Sequence, residues 1–357
     1  MNKKIAVIGG GRWGRVLVNV LNSLNQAVLW VTKHGKKQNS QWLKYNHLNA
    51  EITDIEHNAF DSKKIKAIII STSSHTHFNL TKKALKNCIP VLSEKPYAFT
   101  MQQAEELIRL SLKKNTLAAV NLEFMYADYL TTFKQKIKTI EKKNISITWH
   151  DPFKEEHYGE IKYGDIYTPL VHDSLPHCWS LFANNLHFES LEYQKDSSLL
   201  ISMINHSSKF KISLNRRGNR RIRHININQG EAELDFSLEP GFSTIHGKKY
   251  KNEWGEQHPL AAALIHFLSA ISNPNIVLVN TLENCKNAVK LSQIAYDEFY
   301  IKVKEGIMQN KFTPKQQEYA LYDYFIPKLM SQGTKIYAYS EQEIADFLNK
   351  AQYLNFD

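Results

Sequence analysis

The sequence predicts an α/β protein with two sheets, a doubly wound parallel sheet followed by a larger, mostly antiparallel one. Three observations lead there. Short, near-continuously apolar runs alternate with helix-period segments over the first third of the chain. A glycine-rich turn joins the first of those runs to the first helix pattern. Past Asn121 apolar and polar residues instead alternate with period two over several successive segments.

The first strand, Ile5-Ala6-Val7-Ile8, runs into Gly9-Gly10-Gly11-Arg12-Trp13-Gly14, and Val16, Leu17, Val20, Leu21 and Leu24 follow at helical spacing. In this strand–turn–helix context the first glycine of G-x-G-x-x-G allows a tight turn. The second lets backbone N–H groups approach a pyrophosphate, and Gly14 lets the helix pack close to the strand. A dinucleotide site is implied. Further strands are expected over 27–31, 67–70, 89–92 and 117–120, with helices over 78–85 and 102–112. The period-two runs lie over 145–149, 189–193, 199–204, 210–214, 222–227 and 232–236. Helical period returns over 260–271 and 282–303, and again in the tail over 316–329 and 341–351. The expected division is 1–121, 122–305 and a helical extension over 306–357.

Composition narrows the partners. The chain has 357 residues, 43% hydrophobic and 22% charged, which fits a globular protein of two domains. No apolar run approaches the ~20 residues needed to span a bilayer, and Met1-Asn2-Lys3-Lys4 leads straight into a strand without a secretory signal. Cys88, Cys178 and Cys285 are scattered, so neither a disulfide framework nor a metal site is expected, and a cytoplasmic setting fits. The net charge of +10 is spread along the chain without a nucleic-acid module. Neither nucleic acid nor membrane is an expected partner. A small molecule is, and an anionic ligand would be helped by this field.

Three further segments carry candidate chemistry. In Ser93-Glu94-Lys95-Pro96, Lys95 falls at the carboxyl end of a strand, facing the crevice where open α/β sheets bind ligands. The alternative is a polar loop with a surface ion pair. In His172-Asp173-Ser174-Leu175-Pro176-His177, the i,i+4 spacing places Asp173 and His177 on one helix face, a carboxylate able to tune an imidazole. Pro176 is tolerable in a first turn, so this helix is expected to begin near Ser174 or Leu175, after a Tyr/Gly-rich loop over 158–167. The alternative makes Asp173 a cap and His177 a structural histidine. In Ser71-Thr72-Ser73-Ser74-His75-Thr76-His77, polar groups at a strand end either contact a cofactor ribose or cap the next helix. Arg216-Arg217-Gly218-Asn219-Arg220-Arg221 lies between two strand patterns and reads as a solvated hairpin tip, with phosphate binding as the other use.

Together, residues 9–14, 71–77, 93–96 and 172–177 resemble the Gfo/Idh/MocA oxidoreductases. The resemblance runs from residue 3 to about residue 300, taking in Gly230-Glu231-Ala232-Glu233-Leu234 and the helix around 288–296. It implies an N-terminal Rossmann domain and a C-terminal α/β domain whose large, open, mostly antiparallel sheet serves as an oligomer interface, in a homodimer or tetramer. It implies that Lys95, Asp173 and His177 hold the catalytic positions. Cofactor contacts are expected from Gly9, Gly11, Arg12, Trp13, Gly14, Thr32, Lys33, Thr72, Ser73, His77, Glu94 and Lys95, and substrate contacts from Tyr163, Tyr167 and His172. No metal is implied. The chain departs from the family in a bulky lead-in over 165–172, in Ser73 where many members have proline, and in its long tail.

The expected second strand ends Val31-Thr32-Lys33-His34-Gly35-Lys36-Lys37, with bases where NAD enzymes carry an acid, so NADP(H) is expected over NAD(H), with Thr32 bonding its 2′-phosphate. The implied activity is hydride transfer between the nicotinamide and a carbonyl or hydroxyl of a sugar or sugar derivative. The alternatives are reduction of a thiazolinyl-type C=N bond in natural-product biosynthesis and a non-catalytic cofactor-sensing regulator. A redox-neutral glycoside-cleaving relative is more remote.

Overall fold

The computed structural model describes residues 3–140, 143–157, 160–163, 165, 167–183, 185–309, 311–314, 316, 320 and 323. β1 (Lys4–Ile8) is buried from its second residue on, as a strand covered on both faces must be. It is followed by α1 (Arg12–Ser23), β2 (Val28–Val31), α2 (Lys36–Tyr45), β3 (Glu51–Thr53), β4 (Ile65–Ile70), α3 (His77–Lys86), β5 (Val91–Glu94), α4 (Met101–Lys114), β6 (Ala118–Asn121) and α5 (Asp128–Lys136). The six strands form one parallel sheet in the order β3-β2-β1-β4-β5-β6. Strand order reverses between β1 and β4, and the crevice at their carboxyl ends is where this topology binds ligands.

The chain continues through β7 (Lys143–Pro152), β8 (Lys154–His157), β9 (Glu160–Tyr163), α6 (Leu170–Ser180), β10 (His187–Tyr193), β11 (Leu199–Ile204), β12 (Ser208–Gly218), β13 (Ile222–Ile227), β14 (Ala232–Asp235), β15 (Phe242–Ile245), β16 (Lys248–Lys251), α7 (Pro259–Ser272) and α8 (Lys286–Met308). An eight-stranded sheet runs β10-β11-β12-β7-β13-β14-β15-β16. Every pairing in it is antiparallel except β12 with β7. Its period-two alternation buries Ile145, Ile147 and Trp149 of β7 with Phe210, Ile212 and Leu214 of β12, while Ser146 and Lys211 point the other way and are exposed.

The contacts divide the chain into two compact units. The first comprises Met1–Lys138, Trp179–Asn185 and Asn252–Lys290, and the second Thr139–Cys178, Leu186–Lys251 and Leu291–Asp357. In the first unit, α7 supplies Leu260, Leu264 and Phe267 to a core shared with Ile5, Leu17, Leu21, Trp30 and Leu92. Asn280 extends the sheet edge, its Nδ2 donating to the Val120 carbonyl while its own carbonyl accepts from Val120 N–H at 2.9 Å.

Three sequence expectations are corrected. The helix bearing Asp173 and His177 starts at Leu170, with Pro176 inside it. Proline has no N–H to give the His172 carbonyl, yet the turn before it is formed, with Asp173 N–H on the Pro169 carbonyl at 2.9 Å. The segment read as a Tyr/Gly-rich loop, 158–167, contains β9, paired antiparallel with β8. Finally, 216–221 is no hairpin tip, because β12 and β13 flank β7 on opposite sides and do not pair with each other. Their connection crosses the end of β7, where Arg221 bonds Glu155 Oε1 at 2.6 Å and Arg216 is 2% exposed.

Helices α2 and α5 and strands β3, β15 and β16 were not anticipated. Trp42 and Leu43 are the main apolar residues of α2, too few to show a period.

The glycine turn gives a direct test of packing. A Cβ on Gly14 would stand 2.1 Å from the Gly9 carbonyl oxygen, whereas one on Gly11 meets nothing within 4 Å. Gly11 also has an extended backbone, φ −80°, open to any residue. Gly14→Ala is therefore expected to destabilise the chain by about 1–3 kcal/mol, and Gly11→Ala by less than about 0.5 kcal/mol, read by thermal unfolding. Equal effects would contradict the close approach.

Candidate functional site

At the β1–α1 turn the backbone is held from behind. Trp30 of β2 donates its indole N–H to the Gly9 carbonyl at 2.8 Å, and Asn39 of α2 donates to the Gly10 carbonyl at 2.9 Å. Arg15 in turn donates to Asn39 Oδ1 at 3.2 Å. With its carbonyls tied inward, the turn leaves the start of α1 without a side-chain cap and without an acid in the first turn. A helix N-terminus in that state presents N–H groups and partial positive charge to an anion. The empty space beside Gly11 is the cradle a Cβ would fill. These residues fit a dinucleotide pyrophosphate, and Arg12 and Trp13 are half-buried beside them.

The loops after β4 and β5 are tied to each other. His77 is 2% exposed, and its Nδ1 and Nε2 lie 2.9 Å from the Pro96 and Thr72 carbonyls. A neutral imidazole has one proton for two acceptors. Burial pushes this ring's pKa down, and the two carbonyls pull it partly back. His77, expected among the cofactor contacts, thus joins the 71–77 loop to the 93–96 loop. The Thr72 and Thr76 hydroxyls share a hydrogen bond at 2.6 Å, and Ser73 is exposed without capping the helical turn it precedes.

Glu94 ends β5 with 8% exposure. Its Oε1 accepts from the Trp13 indole N–H and from Asn121 Nδ2, at 2.5 Å for the latter. Burial raises the Glu94 carboxyl above its usual value, opposed by Asn121, Trp13 and the Lys95 charge. The half-buried Lys95 therefore stands beside Glu94 at the carboxyl edge of the sheet. Asn121 is a site residue that sequence reading treated only as a boundary.

Past β2 the bases are where the sequence put them. Lys33, His34, Lys36 and Lys37 are exposed, and α2 begins at Gly35 with no side-chain cap and no acid in its first turn. Thr32 differs from expectation. It is fully buried, its hydroxyl donating to the His34 carbonyl at 2.5 Å and accepting from Asn39, so it has no proton left for a phosphate. Lys36 pairs with Asp54 at 3.0 Å and holds that carboxyl below its usual value.

In the second unit, α6 carries the Asp173–His177 pair. Every residue from Leu170 to Ser180 is buried except Asp173 and His177, four apart on one face. The His177 ring stacks on Trp149 of β7, centroids 5.1 Å apart and planes 14° apart. The Arg223 guanidinium lies 3.7 Å from the Trp149 ring centroid and is held by Asp151 at 2.5 Å. Cys178 is buried, which raises its thiol pKa and disfavours the nucleophilic thiolate. His172, expected at the substrate, is 2% exposed and packs edge-on against Tyr296. Tyr167 is half-buried, its hydroxyl pKa raised by burial and by Asp165. The Tyr163 side chain lies outside the described residues.

A parallel sheet in this order, with a glycine turn after its first strand, defines a dinucleotide-binding protein of the Rossmann class. Residues 3–122 match the family model described as oxidoreductase family, NAD-binding Rossmann fold. No curated protein matches the chain by sequence. Among solved structures, the UDP-N-acetylglucosamine 3-dehydrogenase of Acidithiobacillus ferrooxidans is similar at TM-score 0.65 and 15% identity, over 84% of this chain and 98% of that one. A 3-ketoreductase of Actinomadura kijaniata, in complex with NADP and TDP-benzene, is similar at TM-score 0.68 and 13% identity, over 84% and 98%. The biliverdin reductase of a Synechocystis species, in complex with biliverdin and NADP+, gives TM-score 0.62 and 12% identity over 83% and 98%. At these identities the likeness is one of fold. Among the described residues, no helix is long and apolar enough to cross a membrane.

Glu94 yields a stability test with a defined sign. Glu94→Ala leaves the Trp13 and Asn121 donors without their acceptor and is expected to cost about 1–3 kcal/mol. Glu94→Gln keeps an acceptor and removes the buried charge. A carboxyl whose folded-state pKa is raised contributes stability below its unfolded value and loses it as pH rises through the folded one. Glu94→Gln should therefore gain on the wild type as pH rises above the unfolded carboxyl value of about 4. A gain confined to low pH in denaturant titrations would contradict this.

Proposed function

We propose that the chain is an NADP(H)-dependent oxidoreductase transferring a hydride between the nicotinamide and a carbonyl or hydroxyl of a sugar or sugar derivative. The observation that carries this reading is the helix α6, buried at every residue but the acid–base pair Asp173 and His177. A fold has no packing reason to leave only those two side chains accessible. The nucleotide-sugar dehydrogenase and the ketoreductase among the similar structures support the substrate class.

When bound, the reduced cofactor supplies the hydride. Lys95 holds a positive charge at the carboxyl edge of the parallel sheet and stabilises the developing oxyanion. His177 is the proton donor, with its ring plane fixed by the Trp149 stack. Asp173 orients the imidazole or a substrate hydroxyl. Glu94 and Asn121 keep Trp13 in place beside the glycine turn.

The NADP preference rests on the exposed Lys33, His34 and Lys37 and on the uncapped start of α2. Lys36 contributes less, being shared with Asp54. Fluorescence titration should show NADPH binding at least about tenfold tighter than NADH, the worth of one charge-assisted contact. Equal affinities, or tighter NADH, would overturn the preference.

Turnover tests the chemistry, using a screen of the protein and NADPH against keto-sugars and nucleotide-linked keto-sugars. Lys95→Ala and His177→Ala should each lower kcat by roughly two to four orders of magnitude, with NADPH affinity changing little because the glycine turn carries the pyrophosphate. Near-normal turnover in either variant removes that residue from the mechanism.

A further inference from the structure

Among the described residues after α8, Gln316, Ala320 and Asp323 are 5%, 0% and 2% exposed. They are spaced by four and then three, the spacing of one helix face. This segment is anchored on the second unit. The Phe312 ring packs onto Gly306, where a Cβ would stand 2.0 Å from a ring carbon, and lies edge-on to Tyr193 at 5.3 Å. Gln316 Nε2 donates to the Tyr193 and Gln194 carbonyls at 3.2 and 3.1 Å, and the Tyr193 hydroxyl donates to the Gln316 carbonyl at 2.9 Å.

So anchored, the chain brings Asp323 to Arg216 of β12. Arg216 Nε lies 3.2 Å from Asp323 Oδ1, the two side chains 2% and 3% exposed. The same guanidinium reaches the start of α6, Nη2 donating to the Thr168 carbonyl at 2.7 Å. Thr168 stands two residues before Leu170, and its hydroxyl is fixed on Asp165 Oδ2 at 2.6 Å. One buried arginine thus joins a tail carboxylate to the root of the helix that carries Asp173 and His177. A guanidinium buried this deeply is tolerated when a carboxylate neutralises it, and losing that partner leaves an uncompensated charge. Burial raises the Asp323 carboxyl, Arg216 and Arg217 oppose that, and Asp173 raises it further, so the tail carboxylate and the α6 carboxylate act on one another.

We propose that Asp323 is a positioning residue for Asp173 and His177, acting through Arg216 on the Thr168 carbonyl at the start of α6. The proposal rests on the acid–base reading of α6 for its catalytic consequence, but not for its structural one. The Asp323 carboxylate then fixes where α6 begins.

The test uses the full chain with Asp323→Asn and Arg216→Lys. Asparagine keeps the shape and removes the charge, while lysine keeps the charge but lacks the planar pair of fixed donors that holds Asp323 and Thr168 together. Hydrogen–deuterium exchange over peptides spanning 168–180 should speed up by about tenfold in both variants, with peptides of the parallel sheet unchanged. On the substrate found by the screen, kcat should fall up to about a hundredfold, the effect of a misplaced reacting group. NADPH affinity should stay at the wild-type value, and Asp323→Glu should restore most of the loss. Wild-type exchange over 168–180 in both variants overturns the proposal, as does a uniform loss of protection over the whole chain. Faster exchange over 168–180 with undiminished turnover, in variants and in His177→Ala alike, upholds Asp323 as the anchor of α6 and removes the acid–base reading instead.

Discussion

Two backbones touch where β1 turns into α1, and much of the first unit is arranged around that contact. Gly14 sits on the Gly9 carbonyl at a distance no Cβ allows. The same carbonyl accepts the Trp30 indole proton, and its neighbour accepts from Asn39. The turn is therefore fixed by β1, by β2 and by α2 at once. Trp30 is fully buried, and a buried indole N–H needs an acceptor. The glycine turn supplies it. Asn39 also bonds Thr32, so the segment that bears Lys33, His34 and Lys37 is pinned to the same point. The proposed contacts to the pyrophosphate and to the 2′-phosphate share one scaffold.

Elsewhere the polar groups that matter are buried and bonded rather than free. His77 spans two loop carbonyls, Glu94 collects two donors from neighbouring elements, and Arg216 joins Asp323 to Thr168. The bonds of His77 and Glu94 and that of Arg216 to Thr168 are directional contacts at the end of a strand or the start of a helix, while Arg216 and Asp323 are held by charge. Such contacts fix direction, and direction is what the proposed roles of Lys95, Asp173 and His177 require. The buried alternatives cost desolvation, visible in the raised carboxyls of Glu94 and Asp323.

The parallel sheet was legible because its strands are continuous apolar runs and its glycine turn has one structural use. The antiparallel sheet was legible from its alternation. What sequence could not show is pairing at a distance. The arginines of 216–221 read as a hairpin tip because β12 and β13 are adjacent in sequence, and only the tertiary structure puts β7 between them. Pro176 was read as a helix start, since local propensity disfavours it inside a helix, but burial on every side but one outweighs the single lost hydrogen bond. Thr32 and His172 have the right chemistry for ligands and are consumed by internal contacts. Trp30, Asn39, Trp149 and Asp323 escaped notice because no motif contains them. The one available signal was Trp30, a polar N–H within an otherwise apolar strand.

The account claims above all that hydride leaves a nicotinamide held at the glycine turn and arrives on a substrate carbon. The most direct measurement is mass spectrometry of product formed from NADPH deuterated at the transferring carbon of the nicotinamide. The account predicts one deuterium on the former carbonyl carbon, and a primary isotope effect on single-turnover loss of the reduced cofactor. Product without deuterium, or bound NADPH that stays reduced beside every carbonyl offered, would contradict it.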